Sequence, residues 1–333
     1  MGTPVDPVPE LVRSALANAA DSPGYPQTGG TAALREAAAG WLARCHEVSV
    51  SPDAVLPVIG TKELISSLPT LLGCGPGDVV AYPQLAYPTY DIGARLAGAT
   101  GIAADSLVAL GPGPVRLAWI NSPSNPTGQV LPPEHLGKCV RWARERGAVL
   151  ASDECYLELG FEASPLSVLH PQACGGSHDG LLAVHSLSKR SNLAGYRCGF
   201  VTGDPELVAA LLAVRKQAGL MVPAPVQAAM TAALSDDAHA GQQRARYSAR
   251  RDALRPALEL AGWQVSHSQA GLYLWASHQD LDCWESVRRL AGAGILVAPG
   301  EFYGPAGTRH VRVALTATDE RITAATRRLA ALA

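Results

Sequence analysis

From residue 55 to residue 217, short apolar runs alternate with helical patterns, and this constrains the fold more than any other feature of the 333-residue chain. Val55–Ile59, Asp78–Tyr82, Arg116–Ile120, Ala148–Ser152, Leu181–Val184 and Cys198–Thr202 read as strands. Helical patterns start at Thr61, cover Tyr90–Leu96 and Pro132–Arg146, and close with Asp204–Gln217. In 132–146 a proline lies near the first turn and Gly147 just past the end, the asymmetry expected of a helix. Strands that alternate with helices need a mostly parallel sheet covered on both faces, so the fold class is α/β.

After about residue 220 the pattern changes. Pro225–Leu234 and Ala238–Leu260 read as helices, the second bent or interrupted at Pro256. Gly271–Trp275, Ile295–Val297 and His310–Ala314 read as strands around a helix near Trp284–Leu290. A last helix starts at Thr318, with Asp319 and Glu320 matching its dipole. We expect a large domain over 31–220 and a smaller α+β domain over 221–333, with the N-terminal segment 1–30 packing on the smaller one.

Composition narrows the function. With 47% hydrophobic and 17% charged residues the chain can bury a large core, which excludes a disordered protein. A net charge of −2 leaves no basic excess for nucleic acid. No apolar run approaches the ~18 residues of a membrane span, and the N-terminus carries no secretory pattern. The seven cysteines are odd in number and scattered, with no C-x-x-C pair. That argues against a metal site or a disulfide framework and for reduced thiols in the cytoplasm.

The chemistry concentrates in a few segments. His185–Gly199 follows a buried strand and reads HSLSKRSNLAGYRCG, with Ser186 and Ser188 just before Lys189, and Gly195 and Arg197 after it. Strand C-terminal ends are where open α/β sheets build sites. Asp153 ends another buried strand, three residues before Tyr156; alone it reads equally as a helix N-cap. Asn121–Gly128 reads NSPSNPTG and contains Asn125. Gly60-Thr61-Lys62 closes a strand and opens a helix, a backbone anion site. Tyr87 lies in AYPTY, Tyr25 in GYPQTGG, and Arg312 on the strand HVRVA. For the two tyrosines ordinary packing is the competing reading. For Arg312 it is the polar face of a half-exposed strand.

In this order the segments resemble the pyridoxal 5′-phosphate (PLP) aminotransferases of fold type I, class I/II, over nearly the whole chain. The resemblance makes Lys189 the Schiff-base lysine and proton shuttle. It sets Asp153 against the pyridine nitrogen, and Tyr156 and Asn125 on the phenolic oxygen. Gly60, Thr61, Lys62, Ser186, Ser188 and Arg197 form the phosphate and cofactor contacts, and Tyr87 stacks on the ring. Tyr25 reaches a partner subunit's cofactor, which implies a homodimer with shared sites. Arg312, Gly2 and Asn125 receive the substrate carboxylate. Family members usually carry an arm before this glycine, whereas the present sequence opens at it.

Longer stretches, GTPVDPVP, YPQTGGTAALR and QLAYPTYDIG, look like the actinobacterial N-succinyldiaminopimelate aminotransferases of lysine biosynthesis. The implied substrates are glutamate or 2-oxoglutarate and N-succinyl-2-amino-6-oxopimelate. Both carry a distal carboxylate, for which Lys62, Arg190 and Arg215 are unranked candidates. Another class I/II aminotransferase, a PLP-dependent C–S β-lyase and a non-catalytic PLP sensor remain open.

Overall fold

The structure is a computed structural model and describes residues 2–111 and 113–332. Its first two helices are α1 (Glu10–Asn18) and α2 (Ala32–His46). The central region then runs β1 (Val55–Val58), α3 (Thr61–Leu71), β2 (Val79–Tyr82), α4 (Thr89–Leu96), β3 (Thr100–Ala103) and β4 (Val115–Asn121). It continues through α5 (Pro133–Arg146), β5 (Val149–Asp153), α6 (Pro171–Cys174), β6 (Leu181–Ser186), α7 (Leu187–Arg190), β7 (Gly199–Gly203) and α8 (Pro205–Ala218). The last third holds α9 (Ala224–Ser235), α10 (Ala238–Leu260), β8 (Trp263–Ser266), β9 (Tyr273–His278) and α11 (Cys283–Gly292). It ends with β10 (Ala298–Pro299), β11 (His310–Ala314) and α12 (Asp319–Ala330).

Seven strands form one sheet in the order β1-β7-β6-β5-β4-β2-β3. It is parallel except for β7, which pairs antiparallel with both β1 and β6. Alternate side chains of a strand enter opposite cores. Leu181 and Ala183 of β6 pack in one apolar cluster, and Leu182 and Val184 in the other, so both faces are covered. A four-stranded antiparallel sheet, β10-β11-β9-β8, carries a third cluster with α10 and α12.

The N-terminal segment meets both units. Val12 of α1 shares the first core with Ala229 and Met230 of α9, so α9 packs with the larger unit here. Asp6 instead accepts from Arg250 of α10 at 2.6 and 2.8 Å. No helix of the described residues is long and apolar enough to cross a membrane.

One local expectation is corrected and another narrowed. Residues 295–297 lie outside any strand, and the two-residue β10 pairs with β11 immediately after them. Half-exposed Ile295 and exposed Leu296 lack the two-sided cover that their apolar run suggests. Helix α10 runs as one element through Pro256, so the proline does not interrupt it. Leu254 and Leu258, both buried, hold the turns on either side of the proline against the small core. Elsewhere the caps follow the sequence. Asp204 accepts from the N–H groups of Glu206 and Leu207 at the start of α8, and Gly147 ends α5 in the left-handed region.

Candidate active site

The sheet assembles the site at one edge. Strands β1, β2, β4, β5 and β6 run the same way, and their C-terminal ends lead to Gly60, Tyr87, Asn125, Asp153 and Lys189 respectively. A cavity of about 670 Å³ opens there. Its lining includes Gly2, Thr61, Lys62, Tyr87, Asn125 and Asp153. It also includes Tyr156, Ser186, Ser188, Lys189, Arg197 and Arg312. Gly60 adjoins it through Arg197. Of the residues expected from sequence, Tyr25 and the distal-contact candidates Arg190 and Arg215 are not brought there; Tyr25 stands on the surface, 98% exposed.

Asp153 ends β5 and is buried. Its Oδ2 accepts from the Tyr90 hydroxyl at 2.8 Å, and its Oδ1 accepts from the Cys155 N–H at 3.2 Å. Burial raises its pKa, while the hydrogen bonds from Cys155 and Tyr90 oppose the rise. Tyr90 is itself fully buried and stacks on Trp119, with 5.1 Å between ring centroids.

Lys189 lies in the short helix α7, capped by Ser186 Oγ accepting from the Ser188 N–H at 3.2 Å. Its Nζ donates to the Gly2 carbonyl at 2.6 Å. Burial, with help from nearby Arg312 and Arg197, lowers its pKa from 10.5 to about 8, against the pull of Cys155. An appreciable neutral fraction of this amine therefore exists near neutral pH.

Gly60 caps α3 at φ +76°, and a Cβ there would stand 2.5 Å from Arg197 Nη2. The guanidinium thus rests on bare backbone at the helix N-terminus. Arg197 itself adopts a left-handed φ of 52° and donates to the Ala194 carbonyl at 3.0 Å. Thr61 Oγ1 accepts from the Cys155 thiol at 3.4 Å. Lys62 Nζ lies 5.8 Å from the Tyr87 ring centroid.

At the opposite wall, Arg312 Nη1 donates to Asn125 Oδ1 at 2.7 Å. The Asn125 N–H in turn donates to Asn121 Oδ1 at 2.7 Å, which anchors its loop to the end of β4. Tyr156 and Tyr273 share a 3.3 Å hydroxyl contact, and a side chain at Gly2 would collide with the Tyr273 hydroxyl.

The electrostatics are lopsided. Lys62, Lys189, Arg197 and Arg312 line the cavity, and none forms an ion pair among the described residues. Asp153 is the one carboxylate in the lining. The site therefore suits anions. A helix N-terminus, the hydroxyls of Thr61, Ser186 and Ser188, and Arg197 fit a phosphate. An amine, an aromatic ring and a buried carboxylate fit a pyridine aldehyde, so the donor set suits PLP. Of the distal-contact candidates, only Lys62 is here. Arg190 is paired with Glu158, and Arg215 makes two bonds to Glu63 at 2.8 and 2.9 Å.

Reading the sequence missed Tyr90, Cys155, Tyr273, Phe302 and Tyr303. Tyr90 sits in the same AYPTY segment as Tyr87, one helical turn on, which is the one available signal. Tyr273 and Tyr303 reach Arg312 only through tertiary packing.

The family model "Aminotransferase class I and II" matches residues 3–329. The chain is 62% identical over 329 residues to the 4-dedimethylamino-4-oxo-anhydrotetracycline transaminase OxyQ of Streptomyces rimosus, covering 99% of this chain and 91% of that protein. It is 63% identical over 330 residues to the probable aminotransferase Rv1178 of Mycobacterium tuberculosis, covering 99% and 79%. Among solved structures, a probable N-succinyldiaminopimelate aminotransferase from Thermus thermophilus superposes with a TM-score of 0.90 at 29% identity, covering 100% of this chain and 94% of that one.

Proposed function

The chain belongs to the class I and II aminotransferases, a PLP-dependent family, and from that premise we propose an exchange between two acidic partners. One is the pair glutamate and 2-oxoglutarate. The other is N-succinyl-diaminopimelate and its 2-amino-6-oxo acid, in lysine biosynthesis. The observation that carries this reading is the cation count of the cavity. Arg197 answers a cofactor phosphate and Arg312 a substrate α-carboxylate. Lys62 remains for a second carboxylate at the distal end of the substrate.

When bound, PLP supplies an aldehyde that takes up the amino group and a ring that accepts the electron pair released at the substrate Cα. Lys189 is the amine that holds the cofactor, and its displaced Nζ then moves the proton at the substrate Cα. Asp153 holds a proton on the ring nitrogen, aimed by the Tyr90 hydroxyl. Arg312 and Asn125, with the Gly2 backbone, orient the carboxylate. We place the enzyme in the cytoplasm as a homodimer, where exposed Tyr25 extends to the partner's site.

A second reading has its own support. The Streptomyces relative is named for a 4-oxo-anhydrotetracycline, and the cavity wall here includes Tyr87, Tyr156, Tyr273, Phe302 and Tyr303. Such rings suit a planar polycyclic acceptor. A panel of acceptors with glutamate as donor separates the two. Turnover of the succinylated oxo-pimelate supports the first reading. Turnover confined to a polycyclic ketone supports the second. Pyruvate and ammonia released from cystathionine would instead mark a β-lyase.

A further inference from the structure

Arg312 lies over two aromatic rings. Its Cζ lies 3.8 Å from the Tyr273 centroid and 4.7 Å from the Tyr303 centroid. Nη1 is committed to Asn125, and Nε is buried without a partner. Nη2 is therefore the nitrogen left to meet a carboxylate. A guanidinium binds a carboxylate through two parallel bonds only if its plane is fixed. Contact with two ring faces restricts that plane.

The two tyrosines are anchored differently. Tyr273 opens β9 and pairs with Ala314 of β11, the strand that carries Arg312, so it moves with the arginine. Tyr303 ends the short 3₁₀ turn Gly300–Tyr303, whose backbone is pinned by the larger unit. The Ala86 N–H donates to the Tyr303 carbonyl at 2.8 Å. Gly304, at φ +133°, lies so close to the Gln84 carbonyl that a Cβ would collide with it. Gln84 and Ala86 belong to the loop that also carries Tyr87.

We propose that Tyr303 is a positioning residue for substrate specificity: seated on the 84–86 loop, its ring fixes the Arg312 plane and so couples α-carboxylate recognition to docking of the small unit on the large one. This rests on the reading of Arg312 as the α-carboxylate contact.

The test compares Tyr303→Leu, Tyr303→Phe and Gly304→Val with Arg312→Ala as reference, all in the holoenzyme. Tyr303→Leu should raise KM for glutamate and 2-oxoglutarate about tenfold, within the range of a desolvated cation–π contact. Its kcat and the cofactor's visible absorbance should stay within about twofold of the parent, because the reacting atoms are untouched. Calorimetric binding of succinate, a dicarboxylate that does not react, should weaken by a similar factor. Tyr303→Phe keeps the ring and should match the parent. Gly304→Val keeps the ring but unseats the turn, and should behave like Tyr303→Leu. If Arg312→Ala raises KM and Tyr303→Leu does not, the proposal falls while the reading of Arg312 stands. If Arg312→Ala leaves KM unchanged, both fall. A Gly304→Val protein with parental KM overturns the coupling to docking.

Discussion

The Tyr90 hydroxyl donates to Asp153 Oδ2 at 2.8 Å inside the core, so a carboxylate of the cavity lining is held by a fully buried tyrosine. Burial raises the Asp153 pKa and this bond opposes the rise. Tyr90→Phe removes this part of the opposition and leaves that of Cys155, without opening a large cavity. The ionised fraction of Asp153 then falls at any given acidic pH. We expect kcat to drop about tenfold, in line with a hydrogen bond to a charged group. The acidic limb of its pH profile should move to higher pH. A profile superposable on the parent's would remove the positioning role.

Lys189 makes a prediction about the protein free of cofactor. Its pKa falls from 10.5 to about 8 on folding, chiefly through burial. Below pH 8 the folded chain must hold a buried charge, and the penalty is complete. Between pH 8 and 10.5 the unfolded chain binds more protons than the folded one, so stability rises with pH. Above 10.5 both states are neutral. Lys189→Met should therefore stabilise the apo-protein at about pH 7 by about 1–3 kcal/mol, and the gain should vanish as pH passes 10.5. Urea melts of the two apo-proteins, taken below, within and above that window, measure the difference directly.

Gly60 tests the anion cradle. Alanine there must adopt a φ of +76° and meet Arg197 Nη2 at 2.5 Å. The side chain that gives way is the proposed phosphate contact. Gly60→Ala should weaken PLP binding about tenfold or more, measured by equilibrium dialysis, through a lost charge-assisted contact. The thermal midpoint of the apo-protein should fall by only a few degrees, as for a strained but local backbone site.

Arg215 and Lys62 divide stability from specificity. Arg215 is fully buried and makes two bonds to Glu63. Arg215→Met leaves that partly exposed carboxylate to the Ser67 hydroxyl and water, and should cost about 2 kcal/mol of stability, as for loss of a charged hydrogen bond, with no change in KM. Lys62→Met should do the reverse. It should raise KM for dicarboxylate substrates roughly tenfold, as for loss of a charged hydrogen bond. Alanine as donor should be unaffected.

What the sequence made legible follows from range. Strands β1, β4, β5 and β6 declared themselves through local apolar runs, and Lys189, Asp153 and Asn125 through short segments after them. Edge strand β3, Thr100–Ala103, is mostly exposed and has no such run, so only its pairing with β2 reveals it. Ile295–Val297 shows the opposite failure: an apolar run without a covering layer. The partners that tune the site lie far off in sequence. Tyr90 meets Asp153 across 63 positions, and Asn125 meets Arg312 across 187. No periodicity encodes such pairs, nor the two rings that Arg312 lies over. Arg190 and Arg215 looked as free as Lys62 until their carboxylate partners appeared.

We propose that PLP is joined to the chain at Lys189. Only four lysines exist, Lys62, Lys138, Lys189 and Lys216, so the point of attachment can be read directly. The purified holoenzyme is reduced with borohydride, digested and mapped by mass spectrometry. The cofactor's mass is expected on the peptide that contains Lys189 and on no other. Cofactor found on Lys62, or no adduct on a protein that still transaminates, would contradict it.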